Sequence, residues 1–147
     1  MAALIGLGVF SIHAGATTST NIKLKQALSG TYYVKSQVTE NGPVDFLIDT
    51  GSSYTILDEL VIEELMTKGL AHYKRDITGT MADGSQKTAR VYLVKQFLIG
   101  DCHIKNVEVV AFEPKATFVL GINALKQLSP FSIDTSTSQL TANCRRH

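Results

Sequence analysis

The sequence has no long apolar run, no excess of either charge and only two cysteines. No stretch reaches the ~20 apolar residues that a helix needs to span a bilayer unaided. Lys plus Arg is 14 and Asp plus Glu is 13, a formal net charge of +1, so there is no basic footprint for nucleic acid. No run of like charges occurs, and Arg145-Arg146 is too short to act as one. Cys102 and Cys144 lack the CxxC pattern of a zinc framework. They form one disulfide in an oxidising compartment or stay two unrelated thiols, and the sequence leaves both open. His13, His72, His103 and His147 are scattered, with no pair at metal-ligand spacing, so no metal or cofactor is expected. Cys102 beside His103 makes a poor nucleophile, because Gly100-Asp101 marks a hairpin turn. Gly6-Leu7-Gly8 follows no strand and is not a phosphate loop. Solenoid repeats and low-complexity segments are absent.

What is present is a chain of 147 residues, room for one domain. At 44% hydrophobic and 18% charged, it can bury a core. Residues 1–16 are apolar and small, and Ala14-Gly15-Ala16 resembles a signal cleavage site. Residues 1–22 therefore read as an export or membrane-anchor segment ending in a polar linker, TTSTNI. That implies an extracytoplasmic location: periplasmic, secreted or tethered to a membrane. Residues 23–142 are expected to form the domain, and 143–147 a tail.

The texture from Lys23 onward is mostly β. Thr31–Val38 alternates, Asn41-Gly42 marks a turn, and Val44–Ile48 resumes, so 31–48 reads as a hairpin. Phe46-Leu47-Ile48 is uninterrupted, as expected of a strand buried on both faces. Leu57, Leu60, Val61, Leu65 and Met66 recur at helical spacing, with Asp58 as N-cap and Gly69 as stop. Asp83-Gly84 joins Ile77–Met81 to Ser85–Val94 as a hairpin. Val91–Ile99 and Ile104–Phe112 flank a second turn. Phe118-Val119-Leu120 is another buried run, followed by a short helix over 122–128 and a last hairpin over 131–142. The fold class is all-β, with one or two short helices.

The chemistry sits in FLIDTGSSYT, Phe46 to Thr55. An apolar strand delivers Asp49 into a turn, and an acid at the end of a core strand is costly unless it is paired or used. Gly51 permits a close backbone approach. Thr50 can bond a neighbouring loop, and Ser52 can donate to the carboxylate. A bare Asp-Thr-Gly would read as an ordinary turn. The apolar run before it and Ser52-Ser53 after it favour a catalytic loop.

FLIDTGSS resembles the active-site loop of aspartic peptidases, and FVLGINAL (118–125) resembles the segment before the C-terminal helix of retroviral-type proteases. Gly79–Gly84 lies between them, where that family carries its flap. The resemblance spans about Leu28 to Leu140 and is nearest in style to bacterial retropepsin-like proteins with an N-terminal membrane or export segment. It implies an acid-protease barrel, one lobe per chain, with Leu120-Gly121 packed beside the catalytic loop. It implies Asp49 as the catalytic acid, Thr50 as a brace on the partner's loop, and Gly51 and Ser52 as loop support. Met81, Ala82, Asp83, Gly84 and Ser85 would form a flap tip over a polypeptide substrate. Ser52 replaces the usual retroviral Ala, and the flap tip holds one glycine rather than several. The mechanism needs two carboxylates sharing a proton. The chain's other Asp-Thr, at Asp134-Thr135, lacks the glycine and reads as a turn. A homodimer with one Asp49 from each chain is the implied solution, with 23–30 and 131–142 as candidate interface. The rivals are a non-enzymatic dimeric scaffold that binds peptides without turnover and a conditional enzyme, active only after assembly or processing.

Overall fold

A computed structural model describes residues 17–80 and 83–145. Among these residues ten strands and two short helices alternate in chain order. The strands are β1 Thr17–Gln26, β2 Tyr32–Gln37, β3 Val44–Asp49, β4 Thr55–Asp58 and β5 Ala71–Thr80. They continue as β6 Gln86–Ile99, β7 Cys102–Phe112, β8 Val119–Gly121, β9 Phe131–Asp134 and β10 Gln139–Arg145. Helix α1 is Glu59–Thr67, and α2 is Ile122–Leu125, prolonged by a 3-10 turn over Lys126–Leu128.

The strand order is β5-β6-β7-β4-β8-β3-β2-β1-β10-β9, and β6 also pairs with β2. That last pairing, Ser36↔Ile99 and Gln37↔Leu98, closes β2, β3, β8, β4, β7 and β6 into a barrel. Closure removes the sheet edges there and leaves Val34, Phe46, Leu57, Phe97, Ile99, Val109 and Leu120 fully buried or nearly so. Phe46 meets Phe97 edge-on at 6.1 Å between ring centroids and Phe118 at 5.2 Å. The all-β barrel expected from the sequence is the one observed.

Several local expectations need correction. Residues 17–22 are no linker. They are the first half of β1, paired with β10 from Thr17↔Arg145 to Lys23↔Gln139. Polar, β-branched threonines suit a strand whose other residues, Ile22 and Leu24, reach the core. The same pairing draws residues 143–145 out of the expected tail into β10. Leu57 belongs to β4, not to the helix. Asp58 caps α1 as expected, accepting from the Leu60 N–H at 2.7 Å. The buried face of α1 carries Ile62 and Leu65, while Leu60 and Met66 stay 58% and 42% exposed. With Leu57 assigned to the preceding strand, the helical stripe shifts in phase. Phe46 is fully buried, but Leu47 and Ile48 are half-buried, because α1 and α2 pack on β4, β5, β7 and β8 and leave β3 to its sheet neighbours.

Cys102 and Cys144 are bonded across β7 and β10, with Cα atoms 5.0 Å apart. This decides the question left open by the sequence. Residues 1–16, including the export-like segment, lie outside the described residues, as do Met81 and Ala82. No described helix is long and apolar enough to cross a membrane.

Candidate active site

Asp49 is the last residue of β3. On the side away from β2 that strand runs parallel to β8, with Leu47↔Val119, Ile48↔Leu120 and Asp49↔Gly121 in register. The chain turns sharply after Asp49. The Gly51 N–H donates to Asp49 Oδ1 at 2.9 Å, and the Ser52 N–H donates to the Asp49 carbonyl at 3.3 Å. A Cβ on Gly51 would stand 3.2 Å from that same Oδ1, so glycine lets the amide reach the acid without crowding it. Asp49 is half-buried and Thr50 is exposed.

Ser52 does not donate to the carboxylate, as the sequence had led us to expect. Its hydroxyl donates to the Tyr54 carbonyl at 2.7 Å, and its own carbonyl accepts from the Ile122 N–H at 2.8 Å. The side chain reaches onward to the residue two positions ahead, so Ser52 supports the loop and not the carboxylate.

Leu120 is fully buried and Gly121 lies against the loop as expected. A Cβ on Gly121 would be 2.3 Å from the Tyr54 carbonyl oxygen. The Gly121 N–H donates to Thr55 Oγ1 at 3.3 Å, and Thr55 Oγ1 donates to Asn123 Oδ1 at 3.0 Å. Asn123 Nδ2 then donates to the Glu108 carbonyl. Thr55 is fully buried, so this relay satisfies a hydroxyl that would otherwise be stranded.

Glu108 also receives a forked guanidinium. Arg75 Nη1 and Nη2 donate to its two oxygens at 3.2 and 2.7 Å, and Arg75 Nη2 also donates to the Tyr54 hydroxyl at 3.1 Å. Lys74 pairs with the same carboxylate. These cations, Arg75 foremost, hold the Glu108 carboxyl at about 2. Tyr54, Thr55, Arg75, Glu108 and Asn123 were not singled out from the sequence. The only available signal was Tyr54-Thr55 directly following the Asp-Thr-Gly-Ser-Ser run.

The β5–β6 hairpin rises over one side of the loop. At its turn Asp83 Oδ1 accepts from the Ser85 N–H at 2.9 Å and the Ser85 hydroxyl at 2.6 Å, and these bonds hold the Asp83 carboxyl below its ordinary value. Asp83, Gly84 and Ser85 are exposed at the tip. Between hairpin and loop lies a cavity of about 530 Å³. Ser52, Tyr54 and Ile56 form one wall, and Ile77, Gly79 and Arg90 belong to the hairpin. Asp49 is not among the residues that line the cavity. Asp134 folds into its own turn, where Ser136 and Thr137 donate to Oδ1 and hold its carboxyl at about 2.

A closed barrel whose Asp-Thr-Gly turn is wedged against a buried Leu-Gly strand defines the retropepsin-like aspartic peptidase class. The family model described as aspartyl protease matches residues 34–124. That is well over half of the chain, and the chain belongs to this family. A solved structure, a retropepsin-like aspartic protease from Rickettsia conorii, aligns with a TM-score of 0.62 at 23% identity. The alignment covers 90% of this chain and 98% of that one, and the likeness is one of fold. No curated protein matches.

Proposed function

We propose that this protein is an aspartic endopeptidase, active as a homodimer in which each chain contributes Asp49. The observation that carries the reading is the presentation of Asp49. It ends a core strand, stays half-buried, and takes the Gly51 amide on one oxygen, which leaves the other for a partner or a water. In a close pair, like charges resist joint ionisation, so two carboxylates share one proton. The ionised member takes a proton from water, and the other donates to the carbonyl oxygen of the scissile peptide. Thr50, exposed at the loop, would brace the loop of the second chain.

The register supports such a pairing. Antiparallel order brings the start of β2, the end of β1, the start of β10 and the end of β9 to the end of the sheet that carries Asp49. The turns over 27–31 and 134–138 therefore flank the catalytic loop, and Leu28 there is fully exposed. An extended peptide would lie beneath the β5–β6 hairpin, which acts as the flap, with its side chains entering the cavity beside Tyr54.

Purified protein should cleave an unfolded substrate between about pH 3 and 7. Cleavage should vanish in Asp49→Asn and with a pepstatin-type inhibitor. Specific activity should rise with protein concentration. A folded dimer that cleaves nothing would turn the reading to a peptide-binding scaffold.

The Cys102–Cys144 bond supports an oxidising, extracytoplasmic location. Thiol labelling of the native protein in cell fractions tests it, and two free thiols would refute it.

A further inference from the structure

Arg75 reaches two partners because the β5–β6 ladder slips. Tyr73 pairs with Tyr92 and Arg75 with Val91, so Lys74 is an extra residue in β5. In an unbroken strand, neighbours point to opposite faces. The bulge re-aims them, and both Lys74 and Arg75 meet Glu108 on β7. The forked pair with Glu108 leaves the guanidinium fixed in plane, with one donor directed at the Tyr54 hydroxyl.

The backbone of Tyr54 is held as well: its carbonyl accepts from Ser52 and lies against Gly121. Tyr54 lines two cavities. One is the cavity of about 530 Å³ beneath the hairpin. The other, of about 450 Å³, is lined by Ser53, Asn106, Glu108 and Asn123 among others. Ser53 and Tyr54 are common to both linings, and the bond from Arg75 pins the far end of the Tyr54 ring.

We propose that Arg75, clamped by Glu108, is a positioning residue that pins the Tyr54 ring as the end wall of the peptide cleft and so limits the size of side chain admitted there. The proposal rests on the peptidase reading above and adds a determinant of specificity to it. Freed of Arg75, the ring can swing toward the second cavity, and the two spaces join. Bulky side chains then gain relative to small ones. Because Arg75 sits on β5 and Tyr54 follows the Asp-Thr-Gly turn, the device also ties the base of the hairpin to that loop.

The test compares wild type, Tyr54→Phe and Arg75→Lys on a peptide library in which one side chain at a time runs from alanine to tryptophan. Tyr54→Phe keeps the ring and removes only the acceptor. Arg75→Lys keeps the charge but cannot fork to Glu108 and reach Tyr54 together. Both should raise the ratio of kcat/KM for large over small side chains at one position, by about three- to tenfold. The change should fall more in KM than in kcat. A merely structural role would lower kcat on every substrate alike and leave the ratio unchanged, which would overturn the proposal. A ratio that moves only in Arg75→Lys would also overturn it, since Tyr54 would then not be the wall. If wild type cleaves no member of the library, the peptidase reading falls and this proposal with it.

Discussion

Gly121→Ala isolates the contact between the barrel and the Asp-Thr-Gly loop. The backbone at Gly121 has φ −79° and ψ 172°, angles that any residue adopts. Alanine therefore meets no conformational penalty, and its cost is contact alone. The added Cβ would lie 2.3 Å from the Tyr54 carbonyl oxygen, 2.5 Å from the Tyr54 carbonyl carbon and 2.9 Å from the Thr55 nitrogen. Ordinary carbon–oxygen approach is about 3.3–3.6 Å, so β8 and the loop must separate by about 1 Å. All three neighbours are backbone atoms, and no rotamer change relieves them. Overpacking of this kind costs about 1–3 kcal/mol. The shift also strains the Gly121 N–H bond to Thr55 and the Ile122 N–H bond to Ser52, each worth about 1 kcal/mol. The expected loss is about 3–4 kcal/mol, or a fall in Tm of roughly 10 °C for a domain of this size. Gly79→Ala is the internal control, since a Cβ there meets nothing within 4 Å. It should leave Tm unchanged or raise it slightly, because alanine narrows the unfolded ensemble. Thermal and urea unfolding, followed by circular dichroism, measure both. A Gly121→Ala loss below about 1 kcal/mol, or one equal to that of Gly79→Ala, would refute the wedge.

The remaining predictions concern the clamp, the disulfide and the helix cap. The Glu108 carboxyl lies at about 2 rather than its ordinary 4.5, so its contribution to stability is complete above 4.5 and lost as pH falls toward 2. Glu108→Gln should flatten the stability curve in that window, measured by urea unfolding, and an unchanged slope would remove the clamp as its cause. Replacing both Cys102 and Cys144 by alanine should cost about 2–4 kcal/mol, given their separation of 42 residues. An unmoved denaturant midpoint would count against the bond as a staple. Asp58→Ala removes the acceptor for the N–H groups of Leu60 and Lys115 and should cost about 2 kcal/mol. Asp58→Asn should recover about half of it, and equal losses in the two variants would argue against the cap.

The parts of the fold legible in the sequence are those whose cause is local. Alternation wrote β2, Asp83-Gly84 wrote the hairpin turn, and Asp58 wrote the start of α1. The Asp-Thr-Gly turn was legible because an acid at the end of a core strand costs desolvation, which marks the position as one that is paired or used. The features that escaped depend on partners distant in the chain. Thr17–Ile22 looks like a linker until β10 supplies its ladder. Phe46-Leu47-Ile48 looks doubly buried, but what covers a strand is set by where the helices pack, and α1 and α2 pack elsewhere. The bulge at Lys74 leaves no mark in composition, and without it Arg75 would not be read as a neighbour of Tyr54.

The terminal strands bear on how two copies can meet. β1 and β10 already pair with each other over Thr17 to Lys23, and the disulfide fastens β10 to β7. β1 pairs with β10 over Thr17–Lys23 and with β2 over Leu24–Gln26, and β10 pairs with β9 over Gln139–Ala142. In the proposed dimer the second copy would approach the end of the sheet that carries Asp49, across the turns at 27–31 and 134–138. An interface of turns and one exposed leucine is smaller and more polar than an obligate one, and small interfaces associate weakly. Assembly would then regulate the chemistry: a fold complete in one chain, and an acid pair that exists only at concentrations where two chains meet. Sedimentation and specific activity should therefore rise over the same concentration range. Full activity in a monomer would rule out the shared dyad.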